Sequence, residues 1–68
     1  MAYKINFIDQ TTAEVIEDIL PSISEVKRAI EDIYDVQWQC PVTITNMDTL
    51  KSVVIETYDF YDILKQIE

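Results

Sequence analysis

The chain has 68 residues, of which 49% are hydrophobic, and this length holds one domain with a single small core. Thirteen acidic against five basic residues give a formal net charge of -8, which disfavours direct contact with the phosphates of nucleic acid. The absence of glycine excludes glycine-rich loops that bind nucleotide phosphates, and it forces any residue with positive φ to be of a less suitable type.

The first predicted element is a strand over residues 3–8, where apolar and polar side chains alternate in the sequence YKINFI. Thr11 followed by Glu14 then has the spacing of a helix capping box. Apolar residues recur after it at helical spacing, at Val15, Ile16, Ile19 and Leu20. The sequence therefore predicts a short first helix that ends near Leu20.

A second helix is predicted directly after Pro21, because Ser22 and Glu25 repeat the capping-box spacing. Its apolar stripe has a period of 3.6 residues and consists of Ile23, Val26, Ala29, Ile30, Ile33 and Tyr34. The predicted helix ends near Asp35.

Alternation returns between residues 36 and 46 and predicts a strand with Trp38, Cys40, Val42 and Ile44 on one face. A turn over residues 46–49 leads to a predicted return strand over residues 51–57. The alternative for this segment is a helix that begins after Asp48, because apolar residues also recur there at helical spacing. Thr57 or Asp59 then caps a final helix whose inward side chains are Phe60, Ile63, Leu64 and Ile67.

These elements predict an α+β fold, a single compact acidic domain over residues 1–68 in the order β-α-α-β-β-α. Three strands form an antiparallel sheet that packs against the helices, and no linker or internal repeat is apparent. The open edges of so small a sheet are templates for another chain, which makes a homodimer plausible.

Little in the sequence supports catalysis. There is no histidine, and the single cysteine, Cys40, lies within an apolar strand where its thiol is expected to be inert. We expect a protein without enzymatic activity, without a cofactor and without a metal. The lone cysteine and the absence of a signal sequence or a continuous apolar segment of membrane-spanning length predict a soluble cytoplasmic protein.

The acidic residues form two groups at spacings that share a helical face. Glu31, Asp32 and Asp35 lie on the solvent side of the second predicted helix, and Glu14, Glu17 and Asp18 lie on that of the first. Each group is explained by solubility alone. Carboxylates on successive helical turns nevertheless stand about 5–6 Å apart at Cβ, on the scale of successive phosphates, so they can imitate a nucleic-acid backbone. These six residues are the candidate partner-binding residues, together with the aromatic side chains of Tyr34 and Trp38.

In size and charge the chain is similar to small phage- or plasmid-borne inhibitors, including anti-CRISPR proteins, DNA mimics and bacteriocin immunity proteins. That similarity involves no motif and assigns no residue a role. The leading hypothesis is a non-catalytic acidic inhibitor that docks on a basic nucleic-acid-binding protein without contacting nucleic acid or membrane. The alternative is a small homo-oligomeric structural or assembly protein that associates through an apolar sheet edge and aromatic residues.

Overall fold

The computed structural model describes residues 2–36, 40–56 and 60–68. Within these residues the chain forms four strands and two helices in the order β-β-α-β-β-α. The strands are β1 (Tyr3–Ile8), β2 (Val15–Leu20), β3 (Val42–Asn46) and β4 (Ser52–Ile55), and the helices are α1 (Ile23–Val36) and α2 (Tyr61–Leu64). The predicted α+β class with an antiparallel sheet is confirmed, but the sheet has four strands and not three.

All neighbouring strands are antiparallel, in the spatial order β2-β1-β3-β4. Tyr3 pairs with Leu20 on one side and with Asn46 on the other, and Ile44 pairs with Val53. Because side chains alternate along a strand, these registers give the sheet an inner face toward the helices and an outer face. The first strand and its inward residues are as predicted from the sequence.

Helix α1 packs across β1 and β2, and α2 packs beside β4, so both helices cover the inner face. The backbone N–H of Glu25 donates to the Ser22 hydroxyl at 3.4 Å, which places the start of α1 where the capping box predicts it. The core combines side chains from both helices and three strands. Its buried apolar members are Tyr3, Ile5, Val26, Ile30, Tyr34, Cys40, Val42, Ile44, Ile55, Phe60, Leu64 and Ile67.

The predicted first helix is wrong, because residues 15–20 form β2. Residues 9–14 instead form a hairpin loop, in which the N–H of Asp9 donates to the carbonyl of Glu14 at 2.8 Å and the N–H of Ala13 donates to the carbonyl of Asp9 at 2.7 Å. Ala13 has a φ of 60°, which is incompatible with a helix at this point. The Asp9 carboxylate supports the loop as an Asx turn, because it accepts from the N–H groups of Thr11 and Thr12 at 2.8 and 3.3 Å. Strand β2 lies at the edge of the sheet, where it can carry apolar side chains on both faces, so its sequence lacks the alternation by which strands are recognised.

The return strand is confirmed as β4, with Ile55 buried and Val53 partly buried, so the helix alternative for this segment is wrong. The final helix is confirmed as α2, although it is short and begins after Phe60 without a side-chain cap. Thr57 and Asp59, the predicted caps, and Trp38, a predicted strand residue, lie outside the described residues.

The two hairpin loops, Asp9–Glu14 and Asn46–Lys51, share one hydrogen-bonding pattern. In each, the first side chain accepts from the N–H groups two and three residues later, and the first N–H donates to the sixth carbonyl at 2.8 Å. In each, the fifth residue has positive φ, 60° at Ala13 and 62° at Leu50. Each residue of the second loop lies 37 positions after its counterpart, as Asn46 does after Asp9. The two hairpins therefore share a loop conformation, and the order strand, strand, helix occurs twice within the described residues.

Candidate partner-binding surfaces

The acidic group on α1 is exposed as the helical spacing predicts: Glu31, Asp32 and Asp35 all face solvent. Glu31 also has an internal role, since its carboxylate accepts a hydrogen bond of 2.8 Å from the Tyr61 hydroxyl. Glu31 therefore faces α2. Asp32 follows it by one residue and is rotated about 100° around the helix axis from Glu31.

These three acids lie in the C-terminal half of α1, and the last turn of the helix carries no basic residue. The C-terminal end of a helix bears partial negative charge, so an exposed carboxylate in the last turn, here that of Asp35, is unfavourable by about 0.3–1 kcal/mol. The acidic end of α1 thus lowers the stability of the helix that carries it.

The contact between α1 and α2 is organised around Tyr61. The ammonium group of Lys27 lies 5.4 Å from the centre of the Tyr61 ring and 3.6 Å from the Glu68 carboxylate. The hydrogen bond to Glu31 raises the pKa of Tyr61, with smaller contributions from desolvation and from the charge of Glu31. This contact uses one of the three acids of α1 and fixes the final residues against the helix.

The second predicted acidic group does not share a helical face. Glu14 closes the first loop, while Glu17 and Asp18 are successive residues of β2 and point to opposite faces of the sheet. Glu17 lies on the outer face, with a carboxylate oxygen 3.4 Å from the Lys4 ammonium nitrogen. Asp18 lies on the inner side, and its carboxylate accepts a hydrogen bond of 2.9 Å from the N–H of Ile19.

Of the two aromatic candidates, Tyr34 is buried, and its hydroxyl donates a hydrogen bond of 2.9 Å to the carbonyl of Ile55. Burial raises the pKa of Tyr34 to about 12, with smaller contributions from Cys40 and Glu56. Tyr34 therefore joins α1 to β4 in the core. Trp38 lies outside the described residues.

Sequence reasoning missed the apolar surface on the outer face of the sheet. Ile8, Val15, Ile19 and Val54 are large side chains on that face, and all four are exposed. Ile8 and Val15 are direct cross-strand partners. Each loop begins with a residue that forms Asx turns, Asp9 in DQTTAE and Asn46 in NMDTLK, and this is the signal that could have identified the first hairpin and hence this face.

The described residues offer little else with reactive chemistry. The Cys40 thiol is buried and donates to the Ile8 carbonyl at 3.3 Å, and its pKa is raised by burial and by the charge of Asp9. No group of three cysteine, aspartate or glutamate side chains in residues 2–36, 40–56 and 60–68 is placed to hold a metal ion.

In the same residues, neither helix has the length and apolar character needed to cross a bilayer. Comparisons with protein-family models, with curated proteins and with solved structures give no match for this chain.

Proposed function

We propose that this protein is a non-catalytic acidic binding protein that docks on a basic nucleic-acid-binding protein and competes with nucleic acid for it. The observation that carries the proposal is the acidic C-terminal half of α1, where Glu31, Asp32 and Asp35 are exposed and Asp35, in a last turn without a basic residue, opposes the helix dipole. A surface that lowers the stability of its own helix is typical of a surface kept for binding.

The distribution of bases supports the same function. Lys4, Lys27 and Lys65 form ion pairs with Glu17, Glu68 and Asp62, so these bases are engaged with acids outside the α1 group. A basic partner would add positive charge at the end of α1, whose last turn carries no basic residue. Charge complementarity of this kind accelerates association and makes it sensitive to salt.

The test compares two double variants that change the net charge equally. Asp32→Lys with Asp35→Lys reverses charge on α1, and Asp48→Lys with Glu56→Lys reverses exposed acids elsewhere. Lysine near the C-terminus of a helix is favourable, so the α1 variant should remain folded. Each protein is used to capture partners from nuclease-treated lysate at about 20 mM and about 500 mM NaCl.

We expect the wild type and the control to capture a basic protein at low salt and the α1 variant to lose it. With the captured protein purified, DNA or RNA should compete with this chain for binding. Equal capture by the two variants, or binding unaffected by nucleic acid, would refute the proposed competition.

A second candidate function is homo-oligomerisation through the outer face of the sheet. The outer face carries four exposed apolar side chains, those of Ile8, Val15, Ile19 and Val54, and they favour it because exposed apolar side chains often mark an interface. Sedimentation of the wild type and of Ile8→Lys distinguishes this candidate. A dimer that persists at high salt and dissociates in the variant would support it.

A further inference from the structure

We infer that the open edge of β2 is the docking site for an extended basic segment of the partner, which adds to the sheet as a fifth strand. This inference rests on the proposed function for the charge of the partner and specifies how that partner binds. The carrying observations are the exposure of β2, the direction of its backbone groups and its charge.

Strand β2 is more exposed than the other edge of the sheet. Val15 is 69% exposed, Ile16 36% and Ile19 52%, although all three are large apolar residues. On β4, at the opposite edge, Ile55 is buried and Val53 partly buried. An exposed apolar edge strand six residues long is a template for pairing with another chain.

The backbone groups available on this edge follow from the ladder. The N–H of Asp9 donates to the carbonyl of Glu14, and hydrogen-bonded and non-bonded pairs alternate from there along the antiparallel strands. The N–H and carbonyl groups of Val15, Glu17 and Ile19 therefore point away from β1. An incoming strand would find donors and acceptors at every second residue.

One of these donors is occupied by a neighbouring side chain. The Asp18 carboxylate accepts from the Ile19 N–H at 2.9 Å, in the position where the carbonyl oxygen of an added strand would lie. On docking, that carbonyl replaces the carboxylate, which is released toward the incoming chain.

Charge selects the occupant of the edge. A second copy of β2 pairing antiparallel through the same outward groups would bring Glu17 or Asp18 opposite an acid of its partner, and like charges directly opposite each other are unfavourable. A strand in which basic and apolar residues alternate avoids this repulsion. All bases of such a strand lie on one face; on the outer face one of them would lie beside Glu17, and the apolar side chains would then lie on the inner face beside Ile16 and Leu20.

The experiment uses the full chain labelled with ¹⁵N and three capped peptides. KVKVKVK has the alternating pattern, KKKKVVV has the same composition without alternation, and EVEVEVE has the opposite charge. Binding is followed by amide chemical shifts and by hydrogen exchange. We expect KVKVKVK to bind most tightly and to slow the exchange of the Val15, Glu17 and Ile19 amides.

Three variants separate backbone pairing from charge. Glu17→Pro removes an outward N–H and a carboxylate, Glu17→Gln removes only the carboxylate, and Val54→Pro places proline at the equivalent position of β4. We expect Glu17→Pro to weaken binding of KVKVKVK about tenfold more than Glu17→Gln does. Val54→Pro should stay within about twofold of the wild type, because the intact edge lies on the other side of the sheet.

The outcomes distinguish the inference from the proposed function. Equal binding of KVKVKVK and KKKKVVV, with shift changes confined to Glu31, Asp32 and Asp35, would overturn edge docking and leave an acidic binding protein. Failure of both basic peptides to bind at low salt would overturn the inference and count against the proposed function. If Glu17→Pro does not fold, the wild type decides: slower exchange of the Val15, Glu17 and Ile19 amides on addition of KVKVKVK supports edge docking, and unchanged exchange overturns it.

Discussion

Asn46 connects the second hairpin loop to the end of the chain, and Asn46→Asp tests that role. The Asn46 side chain is 1% exposed. Its Oδ1 accepts from the N–H groups of Asp48 and Thr49 at 2.9 and 3.4 Å, and its Nδ2 donates to the carbonyl of Ile67 at 2.6 Å. Aspartate retains both acceptor bonds of the loop but places a second oxygen against the Ile67 carbonyl.

The expected cost at pH 7 has two parts. The buried Ile67 carbonyl loses its donor, at about 1–3 kcal/mol, and the carboxylate is buried beside an acceptor, at about 1 kcal/mol or more. We therefore expect a loss of about 2–4 kcal/mol, which is a large share of the stability of a domain this small. The matched control is Asp9→Asn at the equivalent position of the first loop. No described residue accepts a hydrogen bond from the Asp9 side chain, so this substitution should change the free energy of unfolding by less than about 0.5 kcal/mol.

The pH dependence is a second, independent part of this prediction. The protonated carboxyl group introduced by Asn46→Asp can donate to the Ile67 carbonyl, so its folded-state pKa should rise above the ordinary value near 4. A group whose pKa is higher in the folded state stabilises the fold at pH values below its unfolded-state pKa. This stabilisation is lost as the pH rises through the folded-state pKa. Urea unfolding, followed by circular dichroism at pH 3 and pH 7, measures the difference in free energy of unfolding between Asn46→Asp and the wild type. A constant difference between variant and wild type, or a loss below about 0.5 kcal/mol at pH 7, would refute the reasoning.

Three further predictions follow from single side chains. Leu50→Gly should raise the free energy of unfolding by about 0.5–1 kcal/mol, because glycine removes the penalty of positive φ at this exposed position; no gain in urea unfolding would contradict this. The pKa of Tyr34 is raised to about 12, so its contribution to the free energy of unfolding should be full below about pH 10 and be lost as the pH approaches 12, by about 1 kcal/mol at pH 11. Tyr34→Phe should lack this pH-dependent contribution, and parallel pH profiles of the variant and the wild type would contradict the prediction. The buried Cys40 thiol should react with a thiol reagent about 100-fold more slowly in the folded protein than in urea, and equal rates would show that the thiol is accessible.

The first strand and α1 could be predicted from the sequence because each carries its own local signal, whereas for the return strand of the second hairpin the sequence also allowed a helix. Alternation marks β1, and a stripe of period 3.6 after Pro21 marks α1. The exposure of the acids on α1 follows from the same period. These features depend on residues within a few positions of one another, so no tertiary information is needed to find them.

Strand β2 could not be predicted in the same way. The sequence VIEDIL fits a helical stripe as well as it fits an edge strand, and local spacing cannot distinguish the two. The distinction depends on the Asx turn at Asp9 and on a free edge of β1 with which residues 15–20 can pair. The predicted helix placed Glu17 and Asp18 on one shared face, whereas β2 places them on opposite faces of the sheet.

The sequence by itself determined the class of the fold, the charge of the surface, the faces of β1 and α1 and the absence of glycine from its loops. Only the tertiary structure decided which strand lies at the edge and which face of the sheet stays open. The physical reason is that side-chain periodicity is a local property, whereas an edge or an open face is defined by which elements pack beside it.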